Sequence, residues 1–394
     1  MTPRRNRTIV LLGMMTRHPV AGVVWQTIQY LIGFARLGYQ VYYVEAGAHQ
    51  PSSMLMLDDP GQGNRSLAAA AFIDRLMRRF DLGDRWAFQA LHSDGRCYGL
   101  SESQLLQLYQ TADWIINLHG ATLPRPEHCA TGRLVYLETD PVAPQIELYD
   151  NRSDTIEFLS THQAFFTFGE SYGQPSCQVP VCDRFAFKPT RQPVVTDFWQ
   201  LDEPGHGTHF TTIGNWQQQW REVTFKGEVY HWSKHYEFLK FIDLPSWTSQ
   251  TFELALSRYE ATDQQLLESK GWRVRDALSF STNLDAYRDY ILGSRGEFTV
   301  AKDQNVRLRS GWFSDRAASY LAAGRPVITQ ETGFSEILPT GGGLFAFSTL
   351  DDILAALDAV NADYQQHSRA AAELARGWFN YDVVLTRLLK DLGE

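Results

Sequence analysis

Short apolar runs that do not alternate with polar residues are the feature that most constrains this chain. Residues 8–12 read Thr-Ile-Val-Leu-Leu, and Gly13 follows. A strand with one face in water alternates apolar and polar side chains. A strand covered on both faces need not, and such strands belong to parallel sheets flanked by helices. Residues 23–37 then place Trp25, Ile28, Leu31, Ile32 and Ala35 near one helical face, Gly38 ends that helix, and 41–45 is apolar again. This strand–loop–helix–strand unit opens a doubly wound α/β sheet. Residues 114–118, 134–137 and 165–168 read as strands of the same kind, and 67–80 as a helix.

At 394 residues the chain exceeds one ordinary core. A proline-bearing irregular stretch, 180–207, sets a domain boundary near 190–207. A second series follows, with strands expected at 209–213, 252–256, 298–300 and 327–329, and helices at 228–242, 263–269 and 284–292. The expected fold is α/β, with two Rossmann-like domains facing a cleft. They comprise residues 1–195 and 205–378, and a terminal helix, 379–394, packs back on the first domain.

A net charge of −9 argues against nucleic acid as the main partner. Cys97, Cys129, Cys177 and Cys182 form no Cys-x-x-Cys pair and have no zinc spacing, so they read as free thiols in a reducing cytosol. The basic start, 1–7, precedes an apolar run too short for a secretory leader and lacking a small-residue cleavage site. Nothing is long and apolar enough to span a bilayer. A cytoplasmic location is expected, and contact with a membrane surface stays open.

The run 307–334 carries the strongest chemical signal. Ser314 suits a helix N-cap, Asp315 and Arg316 begin the helix, and Gly324 with Pro326 ends it. A helix start offers unpaired N–H groups and partial positive charge, and Gly311 permits close approach of backbone to a ligand. Lys302, Arg309 and Arg316 add cations, so the segment suits a diphosphate. Thr332, Gly333 and Phe334 form a turn after the next strand and can face a phosphate or a sugar. Gly214, Asn215 and Trp216 end the first strand of the second half, where glycine leaves room for a ligand. Lys234 lies between Trp232 and His235 in the helix expected at 228–242. Arg273 and Val274 lie in an extended segment suited to the side of a base pocket. In the first half, His18, His119 and Asp140 follow strands and can take a proton from a hydroxyl. No His-Glu-x-x-His, Gly-x-Ser-x-Gly, P-loop or Gly-x-Gly-x-x-Gly pattern occurs.

Tyr320–Ile328 followed by Thr332–Glu336 resembles the signature of GT-B glycosyltransferases: a small helix, Gly-x-Pro-Val, then Gly, then Glu. The resemblance is specific over 209–390 and architectural over 1–190. It implies a nucleoside-diphosphate-sugar donor on the second domain as co-substrate, with no cofactor and no metal. The first domain would take a hydroxyl-bearing acceptor: a small molecule, a glycan or a lipid-linked sugar. The glutamate pair of many retaining members is missing, because the matching positions hold Gly311 and Ser319; Asp315 is the candidate stand-in. Retention or inversion is therefore not carried over. Two alternatives stand beside transfer: a GT-B epimerase or hydrolase, and a non-catalytic nucleotide-sugar-binding protein.

Overall fold

The computed structural model describes residues 7–56, 64–200, 207–219 and 221–394. Residues 1–6 of the basic start and 201–206 of the expected boundary lie outside them. The first sheet contains β1 (Thr8–Leu12), β2 (Gln40–Glu45), β3 (Trp86–Gln89), β4 (Cys97–Gly99), β5 (Trp114–Leu118), β6 (Leu134–Glu138), β7 (Ala164–Thr167) and β8 (Phe187–Pro189). Its order is β4-β3-β2-β1-β5-β6-β7-β8, parallel except for the β3–β4 edge. β1 and its neighbours are buried on both faces, which is why they read as unbroken apolar runs.

The second half contributes β9 (His209–Asn215), a hairpin of β10 (Val223–Phe225) and β11 (Glu228–Tyr230), β12 (Thr251–Ser257), β13 (Arg273–Asp276), β14 (Gly296–Thr299), β15 (Val327–Gln330) and β16 (Leu344–Phe347). Apart from the hairpin these strands form one parallel sheet, β13-β12-β9-β14-β15-β16. Both sheets start at an interior strand and grow outward in two directions. The strand order reverses beside β1 in one and beside β9 in the other, and such reversals open a crevice at the carboxyl ends of the strands.

The helix expected at 228–242 is not formed. Lys226 and Gly227 both have positive φ, 52° and 81°, and make a two-residue hairpin turn between β10 and β11. Arg307 secures the hairpin: its guanidinium reaches Glu228 and the Val229 carbonyl and covers the Tyr230 ring at 4.0 Å. The helical part shrinks to His235–Leu239. The extended segment at Arg273 and Val274 is β13, while the short strands β3, β4 and β8, of three or four residues each, were not expected.

One apolar cluster joins the halves, running from Ile9, Trp25 and Trp199 to Ile213, Tyr287, Trp312 and Leu321. The terminal helix Tyr381–Asp391 returns to the first domain and packs on the helix Ala21–Arg36. Gly33 makes that crossing possible, since an added Cβ would come within 2.6 Å of Leu385.

Candidate functional site

A cavity of about 680 Å³ lies between the domains where the two strand-order reversals face each other. The loop after β1 supplies Arg17 and His18, and Asp140 follows β6. From the second domain come Gly214 and Asn215 at the end of β9, Ser257 and Arg258 at the end of β12, and Lys302 after β14. Ser314, Asp315 and Arg316, where the helix Asp315–Ala322 begins, complete that wall with Lys234 and Trp312.

Ser314 occupies the N-cap position, yet its side chain makes no capping hydrogen bond. The helix start and the Ser314 hydroxyl are thus free to serve a ligand. Gly214 leaves open space: a Cβ there would meet nothing within 4 Å. Lys302 sits over the Trp232 indole, with Nζ 3.2 Å from the ring centroid, and Trp312 lies 6.0 Å away. Lys234 faces the Trp312 ring at 5.5 Å, and Arg221 faces the Trp232 ring at 4.9 Å. Two tryptophans therefore carry three cations, an arrangement that cation–π attraction favours.

These cations press on one another. Burial, then Arg316 and Lys302, lower the Lys234 ammonium to about 7, against the pull of Glu297 and Asp315. Burial also lowers Lys302, although its bond to Asp140 opposes the shift. For Asp140, burial alone would raise the carboxyl, but Lys302, Arg221 and His119 outweigh it and the net shift is downward. Burial raises Asp315 despite Arg316 beside it.

The two histidines are held neutral. Burial lowers His18, followed by Arg17, Arg221, Arg258 and His49. His119 falls to about 4, chiefly by burial, with His18 adding to the shift and Asp140 opposing it. It does not line the cavity wall itself. Its Nδ1 pairs with Thr139 Oγ1 at 2.7 Å, and its Nε2 has no protein partner. His119 has φ of 64°, unusual for a side-chain-bearing residue and of a kind that collects at functional strand ends.

Several expected donor residues lie elsewhere. Trp216 is in the second-domain core against Phe238. Arg273 is on the exposed edge strand β13, donating to His209 at 2.8 Å, and Val274 packs beside the same core. Arg309 pairs with Glu336 at 2.6 Å. Gly311 serves the domain junction: with φ of 76°, it packs so closely that a Cβ would overlap the Ser171 backbone nitrogen. Gly333, at φ 98°, also lies against Ser171 and Arg309. Thr332 is buried, donating to the Trp312 carbonyl at 2.6 Å, and Phe334 is buried against Phe313. That turn therefore supports the loop 309–314 from behind. Arg316 does line the cavity, but its guanidinium is committed to Glu297 at 2.5 Å, to Thr299 at 3.0 Å and to the Ile213 carbonyl. It fastens the helix start to the ends of β9 and β14.

Arg17, Arg258, Trp232 and Trp312 were not singled out from sequence. Arg258 ends the strand beside β9, so the strand-end rule that drew attention to Gly214 reaches it too. Arg221 and Trp232 flank the hairpin that the sequence reads as helix. Among the described residues, no group of three or more His, Cys, Asp or Glu side chains is placed to hold a metal ion. Nor is any helix among them long and apolar enough to cross a membrane.

The two facing parallel-sheet domains and the returning terminal helix are the GT-B fold, the fold of a large class of glycosyltransferases. Anabaena HepE, solved with UDP and glucose, is similar at a TM-score of 0.56 and 11% identity, over 98% of this chain and 99% of that one. An alpha-glucosyltransferase solved with UDP gives 0.58 and 9%, over 98% and 100%. Sucrose-phosphate synthase from Thermosynechococcus elongatus gives 0.51 and 12%, over 98% and 99%. No protein-family profile matches the chain, and no curated protein is similar to it in sequence.

Proposed function

We propose that this protein transfers a sugar from a nucleoside-diphosphate donor to a hydroxyl-bearing acceptor. The observation that carries the reading is the unequal charge of the two cavity walls. Lys234, Lys302, Arg258 and the helix start at Ser314 gather on the second domain, while on the first domain neutral His18 stands with Arg17 and the carboxylate of Asp140, whose charges offset each other. The cationic wall suits a diphosphate, both bound and leaving. Stabilising charge that develops on a leaving group is worth roughly 2.7–4 kcal/mol for one well-placed donor.

UDP and UDP-glucose are the ligands of the similar structures, which makes a uridine donor the first choice. Ser257 and Arg258, at the end of β12, and Tyr287 extend the cavity beyond the cations and leave room for the base. The acceptor would enter from the side of Arg17 and His18. The similar alpha-glucosyltransferase has also been solved with DNA. For this chain the net charge of −9 argues against a nucleic-acid acceptor.

His119, neutral and set back from the cavity wall, is a positioning residue that holds Thr139 beside Asp140 through its Nδ1. The acceptor's proton passes either to neutral His18, which lines the cavity, or to the departing phosphate, while the Asp140 carboxylate orients the hydroxyl. A thermal-shift panel of UDP, GDP, ADP and TDP sugars tests the reading. At a hundredfold excess over Kd a ligand of the folded state adds about 2.7 kcal/mol, which is readily measured. Stabilisation by none of them removes the donor site. Stabilisation with hydrolysis and no acceptor product favours a hydrolase.

A further inference from the structure

Lys302 and Asp140 hold each other across the gap between the domains. Lys302 follows β14 of the second domain, Asp140 follows β6 of the first, and Nζ and Oδ1 are 2.5 Å apart. The pair is unevenly enclosed: the lysine side chain is 9% exposed, the aspartate 41%. The lysine is fixed from below by Trp232 and flanked by Trp312, both residues of its own domain. Its counter-ion alone comes from the opposite wall. Arg221 also acts on Asp140, so the carboxylate faces more than one cation.

We propose that Asp140 is the resident counter-ion of the donor site, displaced when a nucleoside diphosphate reaches Lys302, so that donor entry releases Asp140 to receive a hydrogen bond from the acceptor. This rests on the donor-site reading above. The physical ground is an exchange of partners. A buried ammonium cannot be left unpaired without large cost. A diphosphate carries more charge than one carboxylate and also reaches Lys234 and the Ser314 helix start. Asp140, already partly in water, loses little by leaving the pair. Until the donor arrives, Oδ1 is held by Lys302, and exchange frees it for the acceptor hydroxyl.

Calorimetric titration of the full chain with UDP separates the possibilities. Four proteins are needed: wild type, Asp140→Asn, Lys302→Gln and the double variant, each checked for an unchanged thermal transition, with Asp140→Ser as a second form should Asn fold poorly. Removing the competing carboxylate should tighten UDP binding about tenfold, one decade of affinity. In the Lys302→Gln background the same change should alter Kd by less than about twofold, because contacting residues couple and independent ones add. Equal tightening in both backgrounds would reduce Asp140 to a general source of repulsion and overturn the exchange. An unchanged Kd in Asp140→Asn would also overturn it, leaving the donor site intact. If no protein of the set binds UDP, GDP, ADP or TDP, the donor-site reading fails and the exchange with it.

Discussion

Trp232 lies directly beneath Lys302, with the ammonium 3.2 Å from its ring centroid, and the same ring meets the Arg221 guanidinium at 4.9 Å. One side chain therefore sets the position of two cations at the cavity. Replacing Trp232 with Leu should weaken UDP binding by about tenfold, within the roughly 2 kcal/mol of a desolvated cation–π contact. Trp232→Phe keeps a smaller ring face and should recover most of that loss. Isothermal titration decides: equal losses in Leu and Phe would leave the indole a packing role only.

Lys234 should make donor binding depend on pH. Burial, with Arg316 and Lys302, holds it at about 7 against an ordinary 10.5. Between those values the unfolded chain binds a proton that the folded chain does not, so this residue's contribution to stability rises with pH across the window. Affinity for an anion runs the other way, because neutral Lys234 attracts it less. UDP Kd should rise between pH 7 and 9, and Lys234→Met should flatten that rise. An unaltered profile in the variant would assign the dependence to another group.

Glu138 ends β6, two residues before Asp140, and burial raises its carboxyl to about 8, although Thr167 and Gln145 donate to it. Its Oε1 has no protein partner. The folded chain keeps this proton where the unfolded chain has lost it, so the contribution to stability is complete below about 4.5 and fades as pH rises through 8. Glu138→Gln imitates the protonated form. Its thermal transition should match wild type at pH 5 and exceed it at pH 8.5. The same shift at both values would refute a titrating Glu138.

Two glycines should respond in opposite ways. Gly214 faces open cavity, so Gly214→Leu should leave the transition temperature within a few degrees of wild type and abolish nucleotide binding. Gly311, at φ 76° against the Ser171 backbone, has no such room, and Gly311→Ala should destabilise by about 1–3 kcal/mol. Calorimetry with a binding assay on each variant separates the two. Binding lost in Gly311→Ala without loss of stability would return that glycine to the ligand site.

The strand ends were the legible part of the site. Gly214 at the end of β9, Lys302 after β14 and Asp140 after β6 stand where an apolar run gives way to polar residues, and the cavity collects them because parallel strands all end on one side. Ser314 was legible for a related reason: an N-cap has local sequence rules. The turn Thr332–Phe334 satisfies the same strand-end rule, yet it packs behind the loop it was expected to join in ligand contact. Local sequence sets its conformation but not which side of a neighbouring loop it meets.

Sequence alone determined that this chain builds parallel sheets, because burial on both faces removes alternation from β1, β5 and β6. It also determined the helix start at Ser314 and the return of the terminal helix. Only tertiary structure decided what the cations do. Arg309 and Arg316 look equivalent in sequence, yet one pairs with Glu336 and the other ties strand ends together. Lys302 gains its meaning from an aspartate 162 positions away and from a tryptophan beyond a hairpin. Electrostatic roles are set by distance in space and by burial. Neither can be read from spacing along the chain.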